Sequence, residues 1–439
     1  MAASTPSKDG VSRRGFLHGA GGTAIMSASA GLVAGTAVGA IGASAVLAGD
    51  AAHAATSGGP TGIAALGAAQ SQLAYPFYGE HQSGIATPPQ DHLVFMSFDM
   101  TGKSRTDLQL VLAKWSAAMA EMTAGKAIGA TEPGREQAIP VDTGEATGMG
   151  PQGLTLTLGF GPSLFDDRFG LEKFKPANFA DLPAMAGESL QPQFTGGDLC
   201  IQACAYDPQV AYHAIRNLAR MARTQVKTRW TVLGFGRASA GANQQTPRNL
   251  MGFKDGTRNI TTAEDMAEHV WTGEETGQSW MNGGTYLVAR KIHMMIETWD
   301  TDSIGDQQSI FGRTKHEGAP HSGKLEHDVP DFAAKGADGE PVIAADSHIA
   351  LAAHENNNGV KILRRGYNFT DGLDSVGRLD AGLFFLSFQN DPANFVALQR
   401  RLGSSDRLNE YIRHVGSAVF AVPAGLPAAG SYYGQEFFA

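Results

Sequence analysis

The sequence reads as an α+β protein built on a repeated strand–helix unit, and three observations carry that reading. Residues 198–206 have the pattern of a strand and run into Asp207-Pro208, which opens a helix through Ile215, Leu218 and Met221. The same order recurs far downstream, with a strand at 381–389, then Asp391-Pro392, then a helix through Phe395, Leu398 and Leu402. In both copies the Asp side chain can accept the first free amides of the helix, and proline at the first helical position has no N–H to leave unsatisfied. Further strand-like runs at 284–293 and 415–422 supply the second copy with partners. Separated strands and helices with hairpin potential predict two ferredoxin-like domains, each with an antiparallel sheet.

In chain order, the folded part is expected to start near Tyr75, with one domain over 75–245 and the second over 246–439. Residues 92–98 have the β-branched and aromatic content of a strand. Residues 106–122 place Leu108, Val111, Leu112, Trp115 and Met119 at helical spacing, and 153–160 alternate Leu and Thr as a strand. Residues 361–369 read as one strand carrying Arg364 and Arg365. Between the strands of the second domain, 304–347 form a long excursion rich in Gly, Asp, His and Lys. Connections of that length are usually functional or mobile.

The N-terminus carries an address. Ser12-Arg13-Arg14-Gly15-Phe16-Leu17 is a twin-arginine pattern, and the Gly/Ala-rich run behind it ends in Ala52-His53-Ala54, a small-x-small cleavage pattern. Residues 1–54 are read as a signal peptide and 55–74 as a linker, which implies the twin-arginine export machinery as a partner and a periplasmic or extracellular destination. An uncleaved anchor is the alternative. The two cysteines, Cys200 and Cys204, lie on one predicted strand, too far apart to bridge, and are expected to be free, buried thiols. An exported chain without a disulfide framework suits a route that carries folded proteins.

A net charge of −9 leaves no basic footprint for nucleic acid, so no nucleic-acid partner is expected. There is no Walker loop, H-E-x-x-H, CxxC pair or G-x-S-x-G elbow, so nucleotide, zinc-protease, thioredoxin and serine-hydrolase readings have no starting point. What stands out is Gly252-Phe253-Lys254-Asp255-Gly256-Thr257-Arg258-Asn259, which sets one carboxylate between two glycines. His348 follows in Asp346-Ser347-His348-Ile349, and the Arg364-Arg365 pair after it. An acid, a histidine and an arginine are the groups a haem site needs to cleave peroxide.

From Phe77 to the C-terminus the chain resembles the dye-decolourising peroxidases, a haem family marked by a G-x-x-D-G motif, and in particular an exported branch that includes iron-uptake peroxidases. The landmarks are 77–85, the Gly252–Gly256 motif, Ile310-Phe311-Gly312-Arg313-Thr314-Lys315 and 363–369, in the family's order. The resemblance implies the same two-domain fold, with haem b held on the C-terminal domain. It matches His348 to the proximal iron ligand, Asp255 to the distal acid–base and Glu410 to the carboxylate behind the histidine, with His354 as a rival ligand that has no family match. Successive strand residues face opposite ways, so Arg364 and Arg365 do not share one pocket; the spacing favours Arg365 as the distal arginine, and a one-residue shift would transfer the role to Arg364. Arg313 is matched to a propionate partner, its guanidinium suiting a carboxylate. Leu386 and Phe388, alternating on one strand face, are matched to the apolar distal wall.

The implied activity is reduction of hydrogen peroxide with oxidation of dyes, phenols or other small-molecule electron donors. A haem-handling or iron-uptake protein with haem as its substrate is a second reading, and a non-catalytic α+β binding protein a third. A homo-oligomer and iron-uptake partners are compatible with the first two.

Overall fold

The computed structural model describes Gly67 and residues 69–439. The expected signal peptide and its twin-arginine pattern lie outside the described residues. At the end of the expected linker the chain is already tied down, with Ser71 and Leu73 carbonyls accepting from the amides of Gln152 and Gly153.

The first half runs β1 (His92–Met100), α1 (Arg105–Thr123), β2 (Thr155–Phe160), β3 (Leu199–Ala205), α2 (Pro208–Met221) and β4 (Val226–Arg237). A short α3 (Ala263–His269) precedes the second half. That half runs β5 (Thr285–Met294), three short helices α4 (Ile296–Trp299), α5 (Ile304–Phe311) and α6 (His348–Ala352), then β6 (Leu363–Arg364), β7 (Tyr367–Leu373), β8 (Leu379–Gln389), α7 (Pro392–Ser405) and β9 (Ile412–Val422). The strands form one sheet in the order β5-β9-β2-β3-β1-β4-β7-β8-β6, and an additional β5–β8 pairing closes it into a barrel. Within it β2-β3-β1-β4 and β9-β5-β8-β7 are two antiparallel sheets of the same topology, so the fold is the expected pair of ferredoxin-like units, joined edge to edge.

The two Asp-Pro openers occupy equivalent places. Asp207 accepts from the amides of Gln209 and Val210, and Asp391 from that of Ala393, so each satisfies donors at the start of its helix. The alternation of strand side chains sorts the core into layers. On β3, Leu199, Ile201, Ala203 and Ala205 face outward and pack in one cluster with α1 and α2, while Cys200 and Cys204 face the barrel interior as free, buried thiols. On β8, Phe384, Leu386 and Phe388 point into the barrel, and Leu383 and Phe385 face the other way, into a third cluster in the C-terminal half.

The sequence reading joined 361–369 into one strand. The structure breaks it into β6 and β7 at Arg365-Gly366, although the Arg365 amide still donates to the Leu386 carbonyl at 2.8 Å and so keeps the ladder in register. It also missed β4, whose exposed polar positions blur the apolar pattern, and α3, which buries no residue.

Candidate active site

The outer face of the second sheet is not fully covered. A cavity of about 260 Å³ lies there, lined by Ile292 and Met294 of β5, Leu383 and Phe385 of β8, Ile412 and His414 of β9, and by residues of α6 and α7. Asp255, Arg364, Arg313, His348 and His354 all line it.

Backbone hydrogen bonds and the Asn249 side chain shape the start of the loop that carries Asp255. The Asp255 amide donates to the Pro247 carbonyl at 2.9 Å, and the Asn249 side-chain oxygen accepts from the amides of Met251 and Phe253 at 3.1 and 3.3 Å. Gly256, at φ +106°, lies so close to Ser239 and Ala240 that a Cβ there would meet the Ala240 nitrogen at 2.8 Å, so the motif's second glycine is required by close backbone approach. The Asp255 carboxylate accepts from Asn249 Nδ2 at 3.2 Å on Oδ2 and from Arg364 Nη1 at 3.2 Å on Oδ1. Arg364 is held in turn: Nη2 donates to the Thr257 carbonyl at 2.9 Å, and Asn259 brackets its backbone N–H and C=O at 2.9 and 2.8 Å.

His348 begins α6, directly after the buried Ser347. Its Nδ1 donates to Asp406 Oδ2 at 2.7 Å, while Asp406 Oδ1 accepts from the Leu408 amide at 2.9 Å. Burial works against a charged imidazole, but the charge and hydrogen bond of Asp406 outweigh it and raise the His348 pKa above its ordinary value. With Nδ1 committed to Asp406, Nε2 is the ring nitrogen that could ligate a metal. Arg313 follows α5. Its Nη1 donates to the carbonyls of Gly318 and Glu326 at 2.6 and 2.9 Å, and among the described residues no carboxylate lies within ion-pair distance of it. Burial, with Arg258 and Arg364 nearby, lowers its pKa to about 10. His354 sits toward Arg258 and Lys361, with Nδ1 3.3 Å from Glu355; burial lowers its pKa despite Glu355.

Three assignments need correction. Arg365 does not enter the cavity. It is buried in the barrel, where it donates to the Thr87 carbonyl and to Gln90 Oε1, the latter at 2.5 Å, and Arg364 is the cavity arginine. Leu386 and Phe388 also face the barrel interior, and Leu383 and Phe385 form the cavity wall. These two errors are one error: Arg365 sits opposite Leu386 on the ladder, so the set was mutually consistent but lay on the wrong face of the strand. Glu410 is exposed, and Asp406 takes the place behind the histidine. Asp406 also caps the turn that follows it by accepting from the Leu408 amide, a local role that draws attention from its second oxygen.

A pair of ferredoxin-like units thus carries a cavity in which an imidazole backed by a carboxylate shares the lining with an Asp–Arg pair, a set of groups compatible with a haem site. Family models described as Dyp-type peroxidase, N-terminal and C-terminal, match residues 82–236 and 246–426. The chain is 37% identical over 370 residues to a deferrochelatase of Escherichia coli (strain K12), covering 82% of this chain and 86% of that one. Ferric DtpA from Streptomyces lividans superposes with a TM-score of 0.77 at 36% identity, covering 84% of this chain and 99% of that one. A DyP-type peroxidase from Streptomyces coelicolor has the same TM-score at 37% identity, covering 84% and 98%. This chain belongs to the Dyp-type peroxidase family and is a peroxidase, an oxidoreductase whose cofactor is haem.

The residues present fit that cofactor. Of the three histidines on the lining, His348 is the one whose Nδ1 is hydrogen-bonded to a carboxylate, which suits it to hold a metal that arrives with its other ligands, and the cavity walls are largely apolar. Arg313 is a buried cation on the lining whose hydrogen bonds go to carbonyls and not to a carboxylate, so it suits an acidic edge of the cofactor.

Proposed function

We propose that the cavity reduces hydrogen peroxide with Asp255 as acid–base and Arg364 as the charge-stabilising group, His348 holding haem iron. The observation that carries this is the Asp255–Arg364 pair on the lining of the same cavity as the Asp406-backed His348. Haem, when bound, supplies the iron at which peroxide is cleaved and stores the two oxidising equivalents. Asp255 accepts the proton from one peroxide oxygen and returns it to the other, which leaves as water. Arg364 stabilises the negative charge that develops on the departing oxygen. Asp406 holds the Nδ1 proton of His348, fixes the ring's orientation and makes the ligand more electron-rich. Arg313 would pair with a propionate, and Leu383 and Phe385 would keep bulk water from the cavity.

The test is a Soret band in haem-supplied protein that shifts on adding peroxide and returns on adding a phenolic or dye donor. No shift would overturn the reading. The haem-handling alternative is favoured by the name of the Escherichia coli relative. Its signature is different: metal-free porphyrin fluorescence growing in the holoprotein without peroxide. For residues 1–54 the proposal stays export by the twin-arginine route, checked by replacing Arg13-Arg14 with Lys-Lys and locating the protein; unchanged export would refute it.

A further inference from the structure

One buried carboxylate has no part in that chemistry, yet three of its contacts lead to the cavity. Glu326 belongs to the excursion between α5 and α6 and is only 9% exposed. Its Oε2 accepts from Lys254 Nζ at 2.5 Å and its Oε1 from Thr257 Oγ1 at 3.1 Å. Lys254 immediately precedes Asp255, and Thr257 follows Gly256. The two oxygens of one carboxylate therefore grip the loop on both sides of the acid. The Glu326 carbonyl meanwhile accepts from Arg313 Nη1 at 2.9 Å, tying the same residue to the cavity cation.

We infer that Glu326 is a positioning residue for the peroxide step: it sets the rotation of the Asp255–Gly256 peptide unit and so the placement of the Asp255 carboxylate toward Arg364. This rests on the proposed role of Asp255. Three physical points support it. Asp255 itself is held by one amide donor and one guanidinium, both long at 3.2 Å, so its side chain does not fix its own loop. The Lys254–Glu326 pair is largely shielded from solvent, with 17% and 10% side-chain exposure, so it is screened less than a surface pair. Burial opposes ionisation of Glu326, but hydrogen bonds from Lys254, Thr246 and Thr257 overcome it and hold the carboxyl below its ordinary range, so both oxygens stay acceptors. The excursion also lies directly against the loop: a Cβ on Gly318 would strike the Lys254 side chain at 2.8 Å, and Arg248 donates to the carbonyls of Lys315 and His316, each at 2.6 Å.

The experiment compares Glu326→Gln, Thr257→Val and Asp255→Asn in the full chain, with and without haem. Three quantities are read: haem bound per chain, the rate constant with hydrogen peroxide per bound haem across pH, and hydrogen–deuterium exchange of amides 252–258. Glu326→Gln is expected to bind haem fully, lose between about 10- and 100-fold in the peroxide rate constant, and exchange faster over 252–258 while α6 and α7 keep their protection. Thr257→Val, which removes one of the two grips, is expected to give a smaller change of the same kind and covers the case in which Glu326→Gln does not fold. Wild-type rates and wild-type exchange at 252–258 in both variants, beside a slowed Asp255→Asn, would overturn the inference alone. So would lowered thermal stability with an unchanged peroxide rate, the behaviour of a mere brace. An Asp255→Asn variant with the wild-type rate would instead remove the reading on which the inference stands.

Discussion

The two halves of the barrel share a topology and differ in what covers their outer faces. In the first half one continuous helix, α1, lays Leu108, Leu112, Trp115 and Met119 on the sheet with no measurable exposure, and Trp115 Nε1 donates to the Leu218 carbonyl of α2 at 2.8 Å. In the second half the equivalent connection between β5 and β6 is broken into three short helices and a long excursion, and α7 buries only Phe395, Leu398 and Gln399. The sheet beneath is left partly bare, and that is where the cavity lies. The same frame is therefore a packed core on one side and a cavity on the other; room for a cofactor is left where the helical layer is incomplete.

The largest expected effect breaks the hollow half and spares the filled one. His348→Ala should lose stoichiometric haem while the apoprotein keeps its far-ultraviolet circular dichroism, because α1 and α2 contribute nothing to the cavity lining. Full haem content with an unchanged histidine-ligated spectrum would disprove the assignment and turn attention to His354.

Next come the two adjacent arginines, which separate the faces of one strand. Arg364→Leu should slow the reaction with peroxide by roughly 10²–10³-fold, a range typical of a lost charge-stabilising donor, and leave the shape of the pH profile intact. Asp255→Asn should cost about 10²–10⁴-fold and flatten that profile. Arg365→Leu should instead lower stability by a few kcal/mol, since it strands the Thr87 carbonyl and Gln90 as buried acceptors, with peroxide reactivity per haem near wild type. Stopped-flow rates and urea titrations on the same three proteins decide it; an Arg365 variant that is stable but slow would reverse the assignment.

That pair also shows how far the sequence could be read. The repeated Asp-Pro openers, the α1 face and the glycine-flanked acid are local signals, each written within a few residues, and each is where it was expected. The assignment of faces is not local. Period-two alternation says that Arg364 and Arg365 diverge, and that Arg365 goes with Leu386, but both faces of β8 are apolar, one toward the barrel and one toward the cavity. With two buried faces the pattern carries no label for inside. The partner of His348 was hidden for another reason: 58 positions separate it from Asp406, and no spacing rule spans that distance.

The filled half can be broken without touching chemistry. Trp115→Ala should destabilise the fold by about 3–5 kcal/mol, seen as a lowered urea midpoint, while the peroxide rate per bound haem stays within about twofold at 25 °C. Loss of rate in step with loss of stability would mean that the two halves are not separable in the way the packing suggests.

The smallest effect is a pH dependence confined to the filled half. Glu145, on the loop after α1, lies against α2, with Oε2 3.2 Å from His213 Nδ1 and Oε1 accepting from Arg216 Nη1 at 3.0 Å. Burial works to raise its pKa, but hydrogen bonds from Thr143, its own backbone, His213 and Arg216 prevail and bring it down to about 2. An unfolded glutamate titrates near 4.3. A folded value below the unfolded one means that the folded state binds fewer protons between the two, so this contribution is fully present above about pH 4.3 and is lost as pH falls toward about 2. Glu145→Gln removes the titration. The urea midpoint of the variant should lie below wild type at pH 6, and the gap should narrow steadily between about pH 4.3 and 2. Because the pair with Arg216 is half-exposed on the arginine side, the effect should also shrink in high salt. A gap that stays constant down to pH 2 would show that Glu145 supports the loop by packing and not by its charge.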